Sequence, residues 1–303
     1  MQRLRLTKDR KVSPWVSYGA SGKSRNVLPN TFGLSAGVDN SCPGATDLCS
    51  TVCYAGRLEA VYTTVGRMLA HNLVVLRACN DDVDAMTALL VPLVEEYLDA
   101  AGRRERRQGR TFPRLFRIHW DGDFFSEPYA RAWRATMEQF PDVQFWTYTR
   151  SFTPQLNVVP VFHDLKNFTL YLSVDAQNYN YAKSVLSEFP DTLVSVLAGT
   201  VEGGKAVYRA LTGLNAAACP EKIGKLDIVT HRGEGARITC GLCVWGRKGV
   251  VFPAANGTQP VPYPEEADRP PVEAPRRPVL LPIPEVSPRR HEASSHDRLI
   301  AVV

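Results

Sequence analysis

Apolar positions recur along this chain with two different periods, and the change from one to the other divides it. Leu58, Val61, Val65, Leu69, Leu73 and Leu76 are spaced three or four residues apart, which predicts one long helix with a buried face. A second helical stretch follows from Val83 to about Leu98, with Pro92 as the place for a kink and Gly102 with the next arginines as its end. From residue 115 onward short apolar runs take over. Residues 115–120, 143–148, 168–174 and 192–197 read as strands, and another extended piece approaches Cys219. Between the first two, Ser126 is a good N-cap, with Glu127 and Pro128 in the first turn. Tyr129, Trp133, Met137 and Phe140 then fall on one face of that helix. Helical stretches over 179–189 and 204–211 separate the later strands.

Strands separated by helices predict βαβ units and a parallel sheet, either curled into a full or partial barrel or left open and doubly wound. The expectation adopted is an α/β fold: a partial (β/α) barrel with parallel strands and its cysteine-containing loops at one face. Its bounds are residues 30–253. Residues 1–29 are polar and without periodicity, which predicts a flexible segment. Within them 19–24, Gly-Ala-Ser-Gly-Lys-Ser, imitates a phosphate loop, but the loop's first glycine would be Ser17 and no apolar strand leads in. From 254 to 303 prolines recur every few residues, which predicts a disordered tail.

The composition, 44% apolar and 22% charged, suits a soluble globular protein. No apolar run reaches membrane-spanning length, and the basic start Met1-Gln2-Arg3-Leu4-Arg5 has no apolar stretch behind it. The expectation is therefore a cytoplasmic protein with no membrane partner. A net charge of +5 is compatible with a nucleic-acid partner. The arginine runs at 103–107, 276–277 and 289–290 nevertheless read first as a solvated helix end and as tail.

Six of the seven cysteines form two groups, while Cys79 stands alone on a helical stretch as a small apolar residue. Clustered cysteines in a reducing compartment point to metal or catalysis and away from a disulfide frame. In the first group Cys42, Cys49 and Cys53 lie on a Pro-Gly loop that opens into a helix, whose N-terminus favours thiolate. Three thiolates leave one coordination position open, as a catalytic metal or cluster requires; the competing reading is zinc completed by a fourth residue. Spacing leaves iron–sulfur and zinc both open. In the second group Cys240 and Cys243 form a Cys-x-x-Cys knuckle to which Cys219 could add a third thiolate. His231 is either a fourth ligand or an exposed loop histidine.

A third feature, Trp120-Asp121-Gly122-Asp123, stands where a strand ends, and parallel α/β proteins place ligand sites there. Gly122 allows close backbone approach, and either carboxylate could bind an amino group or a metal. The alternative is an Asx turn that caps the next helix. Arg117 and His119 alternate with Ile118, so both are expected on one face with Asp121, in the site if that face points into a barrel and otherwise with His119 as a satisfied core histidine. Arg150 and Asp175 stand at two further strand ends, the latter after Ser173, which suggests a polar rim around one pocket.

Several of these stretches together resemble one family. They are Cys42-Pro43-Gly44-Ala45, Cys53-Tyr54-Ala55, the run from Phe116 to Ser126, Thr147-Tyr148-Thr149-Arg150-Ser151, and Cys219-Pro220 with the late Cys-x-x-Cys. The combination looks like the gene-product-88 family of mycobacteriophages and related phage proteins, over about residues 30–253. That resemblance implies a phage origin, hence a host cytoplasm, and brings no reaction with it. More distantly, the order of features is similar to the radical S-adenosylmethionine enzymes. These carry a three-cysteine loop ending in an aromatic after the first barrel strand, and a glycine-plus-acid motif at the end of the second. Cys42, Cys49, Cys53 and Tyr54 match the former, and Gly122 with Asp123 the latter. The departures are a wider cysteine spacing and Asp in place of a Gly-Gly-Glu-Pro acid.

The resemblance implies a [4Fe–4S] cluster on Cys42, Cys49 and Cys53 and S-adenosylmethionine on its open iron, with Asp123 or Asp121 at the amino group. Tyr54, Gly122, Ser173 and Arg150 are the further cofactor contacts. Cys219, Cys240 and Cys243 would carry a second cluster or zinc. The substrate is unnamed, and an electron donor is required. Two rival readings are a zinc-dependent nucleic-acid-binding protein and a zinc-containing base-exchange enzyme acting on nucleic acid, with Asp121, Asp123 or Asp175 as nucleophile.

Overall fold

Six strands, all parallel, make a sheet curled into a half-barrel in the order β3-β4-β5-β6-β8-β7. They are β3 (Leu115–Arg117), β4 (Gln144–Thr149), β5 (Phe168–Val174), β6 (Leu193–Ala198), β7 (Ala217–Ala218) and β8 (Val250–Pro253). Two further strands, β1 (Ser17–Tyr18) and β2 (Ser24–Arg25), pair antiparallel with each other. The computed structural model describes residues 3–8, 28–109, 111, 113–225 and 241–254, with the backbone alone of 17–18 and 24–25. All lie in one compact unit, Met1–Pro270. His231, Cys240 and the Pro-rich stretch from 255 fall outside the described residues.

Parallel strands need crossovers, and helices supply them. α5 (Glu127–Glu138) connects β3 to β4, α6 (Val159–Phe162) β4 to β5, α7 (Tyr179–Glu188) β5 to β6, and α8 (Val201–Thr212) β6 to β7. Ser126 caps α5 as its sequence predicts, its hydroxyl accepting from Tyr129 N–H at 3.3 Å. Before the sheet come α1 (Asp47–Val52), α2 (Tyr54–Val61), α3 (Thr63–Arg77) and α4 (Val83–Gln108). Side chains alternate along the strands, so each sheet face has its own core. Phe116, Ile118 and Phe145 pack with Leu90, Tyr97, Trp133 and other helix residues. Leu172, Val174, Val194, Val196 and Val251 pack with side chains of α7 and α8. On the face turned away from the helices, the turn at 241–248 is inserted. Val244 joins Leu115 and Trp146, and its carbonyl accepts from Thr169 Oγ1 at 3.0 Å. Tyr171 OH donates to the Lys248 carbonyl at 2.8 Å.

Residues 30–34 extend the sheet beyond β3 as a parallel segment. Arg117 N–H donates to Asn30 O (3.0 Å), Phe32 N–H to Arg117 O (3.1 Å), Trp120 N–H to Phe32 O (3.1 Å) and Leu34 N–H to Asp121 O (3.0 Å). The chain thus enters the sheet before the cysteine loop.

The described structure departs from the sequence expectations in four places. The helix expected across 58–76 is two helices, because Tyr62 (φ −109°, ψ 81°) leaves helical geometry between them. α4 passes Pro92 and Gly102 and stops at Gly109, whose left-handed φ of 64° lets its N–H close onto Glu105 O. The arginines at 103–107 therefore belong to the helix body, and Glu105 holds Arg114 by two hydrogen bonds of 2.7 Å. Residues 3–8 are tethered, although the N-terminal stretch reads as flexible. Leu4 is buried, and Asn72 of α3 clamps Arg5 by accepting from its N–H (2.9 Å) and donating to its carbonyl (3.0 Å). Finally, Arg117 and His119 do not share a face, because regular pairing stops at Arg117 and alternation stops with it. Arg117 lies 4.9 Å over the Trp146 ring, whereas His119 turns into the helix layer, against Phe124 (ring centroids 4.7 Å) and Tyr129 OH (3.0 Å). Burial, helped by the Arg117 charge, lowers its pKa to about 3, so it is a neutral core histidine.

Trp133 tests the helix-covered core, since it meets Phe32 at 5.8 Å and Phe116 at 6.1 Å between ring centroids. Trp133→Ala is expected to cost about 3–5 kcal/mol of unfolding free energy in urea titration, with the slope unchanged.

Candidate functional site

The loop after residues 30–34 carries the first cysteine group, and it is seated on the carboxyl ends of β3, β4 and β5. Two glycines make that seating possible. A Cβ on Gly44 would overlap the Arg150 carbonyl oxygen, so the loop backbone lies directly on the end of β4. Gly122, at the end of β3, has φ +78°, and a Cβ there would stand 2.5 Å from Ser41 Oγ and 2.8 Å from Leu34 O. The side chains between them are polar and paired. Ser41 Oγ donates to Ser35 O at 2.7 Å and accepts from Asp123 N–H at 3.3 Å. Thr46 caps α1 by accepting from Cys49 N–H at 3.1 Å, and its hydroxyl donates to Asp175 Oδ2 at 2.5 Å. Arg150 Nη1 donates to the same carboxylate oxygen at 2.6 Å and to Thr46 Oγ1 at 3.2 Å. Gln177 adds a second tie, accepting from Leu48 N–H (3.1 Å) and donating to Asp47 (3.0 Å).

The three cysteines are thereby brought into one electrostatic neighbourhood with Asp123, Arg150 and Asp175. Burial pushes the Cys42 thiol up to about 12, with the Asp123 charge next and Cys49 a smaller cause. Burial also raises Cys49, Arg150 opposes this, and Cys53, Asp175 and Asp123 add to it. Cys53 caps α2, its sulfur accepting from Gly56 N–H at 3.3 Å. Next to it Tyr54 is 53% exposed, and its hydroxyl donates to Trp120 O at 3.0 Å and accepts from Arg117 Nη2 at 3.4 Å. No disulfide joins the described cysteines. Among the described residues, no group of three or more His, Cys, Asp or Glu side chains is placed to hold a metal ion, Cys42, Cys49 and Cys53 included.

The three strand-end aspartates, alike in sequence, differ in what they touch. Asp123 is saturated: Oδ1 accepts from Phe124 N–H and Thr149 Oγ1, both at 2.7 Å, and Oδ2 from Arg150 N–H at 2.6 Å. These bonds tie the ends of β3 and β4 together; the helix-capping Asx turn is not formed, since the local donor is the next residue and Ser126 caps α5. Burial raises its pKa to about 6 against the pull of those donors. Asp175 is also saturated, since its Oδ1 accepts from Gln177 N–H at 3.0 Å while Oδ2 serves Arg150 and Thr46. Asp121 is buried, and neither of its carboxyl oxygens has a donor in full hydrogen-bond geometry, the adjoining Gly122 N–H only approaching it. Burial first, and the neighbouring Glu59 carboxyl second, push it up to about 8. Ser173 lies on the sheet face turned from the helices, opposite Ser195, and its carbonyl accepts from Asn178 Nδ2 at 3.0 Å.

The second cysteine group is built differently. Cys219 follows β7 and is buried, its N–H donating to Val251 O at 2.9 Å. Cys243 belongs to the inserted turn and bonds Tyr148 OH at 2.8 Å. Both border one apolar cluster around Tyr171 and Val250.

Sequence reading missed Thr46, Ser41 and Glu59. Thr46 had a signal, a hydroxyl residue just before an acidic helix start. Ser41 and Glu59 had none, because their importance comes from partners 82 and 62 positions later, Asp123 and Asp121.

Residues 5–246 match a family model described as Gene product 88. The Gene 88 protein of Mycobacterium phage L5 is 37% identical over 252 residues, covering 83% of this chain and 98% of its own length. The Gene 88 protein of Mycobacterium phage D29 is 36% identical over 253 residues, with the same shares covered. No solved structure matches the chain at a significant level. The matched span includes Cys42, Cys49, Cys53, Cys219 and Cys243.

A carboxyl whose pKa is raised by folding holds its proton more tightly folded than unfolded. It therefore lowers stability progressively as pH rises from its unfolded value to its folded one. With Asp123 at about 6 and Asp121 at about 8, chemical-denaturation stability should fall from about pH 4 to 8. Asp121→Asn should remove the part of that slope between about pH 6 and 8; an unchanged slope would refute this assignment. Gly44→Ala drives a methyl group into the Arg150 carbonyl and should unseat the loop. The measurable result is faster modification of Cys42 and Cys49 by a thiol reagent, with the far-ultraviolet circular dichroism retained.

Proposed function

The chain belongs to the gene product 88 family of mycobacteriophage proteins, and we propose that it is an iron–sulfur enzyme of the radical S-adenosylmethionine kind. The observation that carries this reading is the position of the cysteine loop. It leaves the first extended segment of a curled parallel sheet and covers the carboxyl ends of the next three strands. Cys42, Cys49 and Cys53 would hold a [4Fe–4S] cluster, three thiolates leaving one iron open to S-adenosylmethionine. When bound, the pair supplies one-electron cleavage of that cofactor and hydrogen abstraction from a substrate, given a low-potential electron donor.

The chain's own groups have three tasks in this reading. Arg150 places a fixed positive charge near Cys49 and favours its thiolate. Thr46, Asp175 and Asp123 act as positioning residues: they hold the loop and the strand ends in register, and their oxygens are already engaged. Trp146, Tyr148 and Tyr171 on the inner sheet face, packed against the 241–248 turn, exclude water from beneath the site. Cys219, Cys240 and Cys243 are assigned a second centre, a cluster or zinc.

Protein purified anaerobically should be brown, with about four iron and four sulfide per chain at the first centre. Cys49→Ala should lose that iron, and the reduced wild type should convert S-adenosylmethionine to methionine and 5′-deoxyadenosine. Colourless protein containing zinc without iron or sulfide would sink the proposal.

A further inference from the structure

Asp121 is 2% exposed, neither carboxyl oxygen has a donor in full hydrogen-bond geometry, and what it faces is the adjoining Gly122 N–H and a second carboxyl. That neighbour, Glu59 of α2, is half-buried and accepts Ala36 N–H on Oε1 at 2.8 Å. Arg117, whose charge acts on Asp121, makes its hydrogen bonds elsewhere. It donates from Nε to His119 O at 3.0 Å and from Nη2 to Tyr54 OH at 3.4 Å, and it lies over Trp146. A buried carboxyl set against a second, half-buried one is stabilised by positive charge between them, from a proton or a metal ion.

We propose that Asp121 and Glu59 bind one hard divalent cation of the Mg²⁺/Mn²⁺ class. Such ions use one or two protein carboxylates and keep several waters. Glu59, being half-buried, leaves a side through which water reaches the ion. An all-oxygen donor pair selects hard ions over the thiolate-seeking ones. The ion would join α2, which begins directly after Cys53, to the end of β3. It would thereby fix the helix that continues the cysteine loop. The site is independent of what the cysteines hold.

The test uses full-length, chelator-treated protein titrated with Mn²⁺, following loss of the free-ion paramagnetic resonance signal. One ion per chain is expected. Asp121→Asn and Glu59→Gln should each weaken it about tenfold or more, while Cys49→Ala leaves it unchanged. Both substitutions replace a carboxyl by its amide, and circular dichroism verifies folding; if one variant fails to fold, the other decides. Absence of saturable Mn²⁺ binding by the wild type overturns the site and leaves the pair sharing a proton. Binding that survives both carboxyl substitutions, or disappears with Cys49→Ala, overturns it equally. Iron analysis on the same preparations separates this result from the cluster proposal, since either can fail while the other stands.

Discussion

A buried ion pair, Arg150 with Asp175, ties the ends of β4 and β5 together and holds the cysteine loop through Thr46, which bonds both partners. Their side chains are 7% and 0% exposed, and the contact is 2.6 Å. A charge pair so far from water is stable only when its other hydrogen bonds are made. Here Thr46 and Gln177 N–H complete Asp175, and both donors come from segments that must be in place for the loop to close. Gly44 permits the contact, because any larger residue would hold the loop off Arg150. One residue at the end of β4 thus works through two of its groups. Its guanidinium fixes the loop, while its N–H completes Asp123 at the end of β3.

The strand-end carboxylates show how one residue type takes different parts. Asp123 and Asp175 are surrounded by donors and behave as structural anchors. Asp121 stands two residues from Asp123, yet the side chain it meets is the Glu59 carboxyl. The positive φ of Gly122 reverses the chain between the two aspartates and sends them to different neighbours. Of the three, Asp121 is the carboxyl whose oxygens the fold leaves without a well-placed donor.

The two cysteine groups also differ in setting. The first lies over the strand ends among the charges of Asp123, Arg150 and Asp175. In the second, Cys219 and Cys243 border the apolar interior of the half-barrel, and Tyr148 OH bonds the Cys243 sulfur. The turn bearing Cys243 closes the inner sheet face, so its role in packing is already evident.

Much of this architecture was legible in the sequence by itself. Apolar runs of strand length separated by helical periods determined a parallel α/β sheet, and β5 spans Phe168–Val174 as the pattern indicates. Ser126 marked the start of α5, and the cysteines with the strand-end aspartates marked one face of the fold. Those signals are local: period, cap and turn chemistry act within a few residues, so a single chain displays them. Only tertiary structure decided that His119 belongs to the core, that residues 30–34 enter the sheet, and that Asp123 is saturated while Asp121 is not. Each of these depends on which distant backbone donors and side chains arrive at a given atom. That is a property of packing between segments far apart in sequence, and no local pattern carries it.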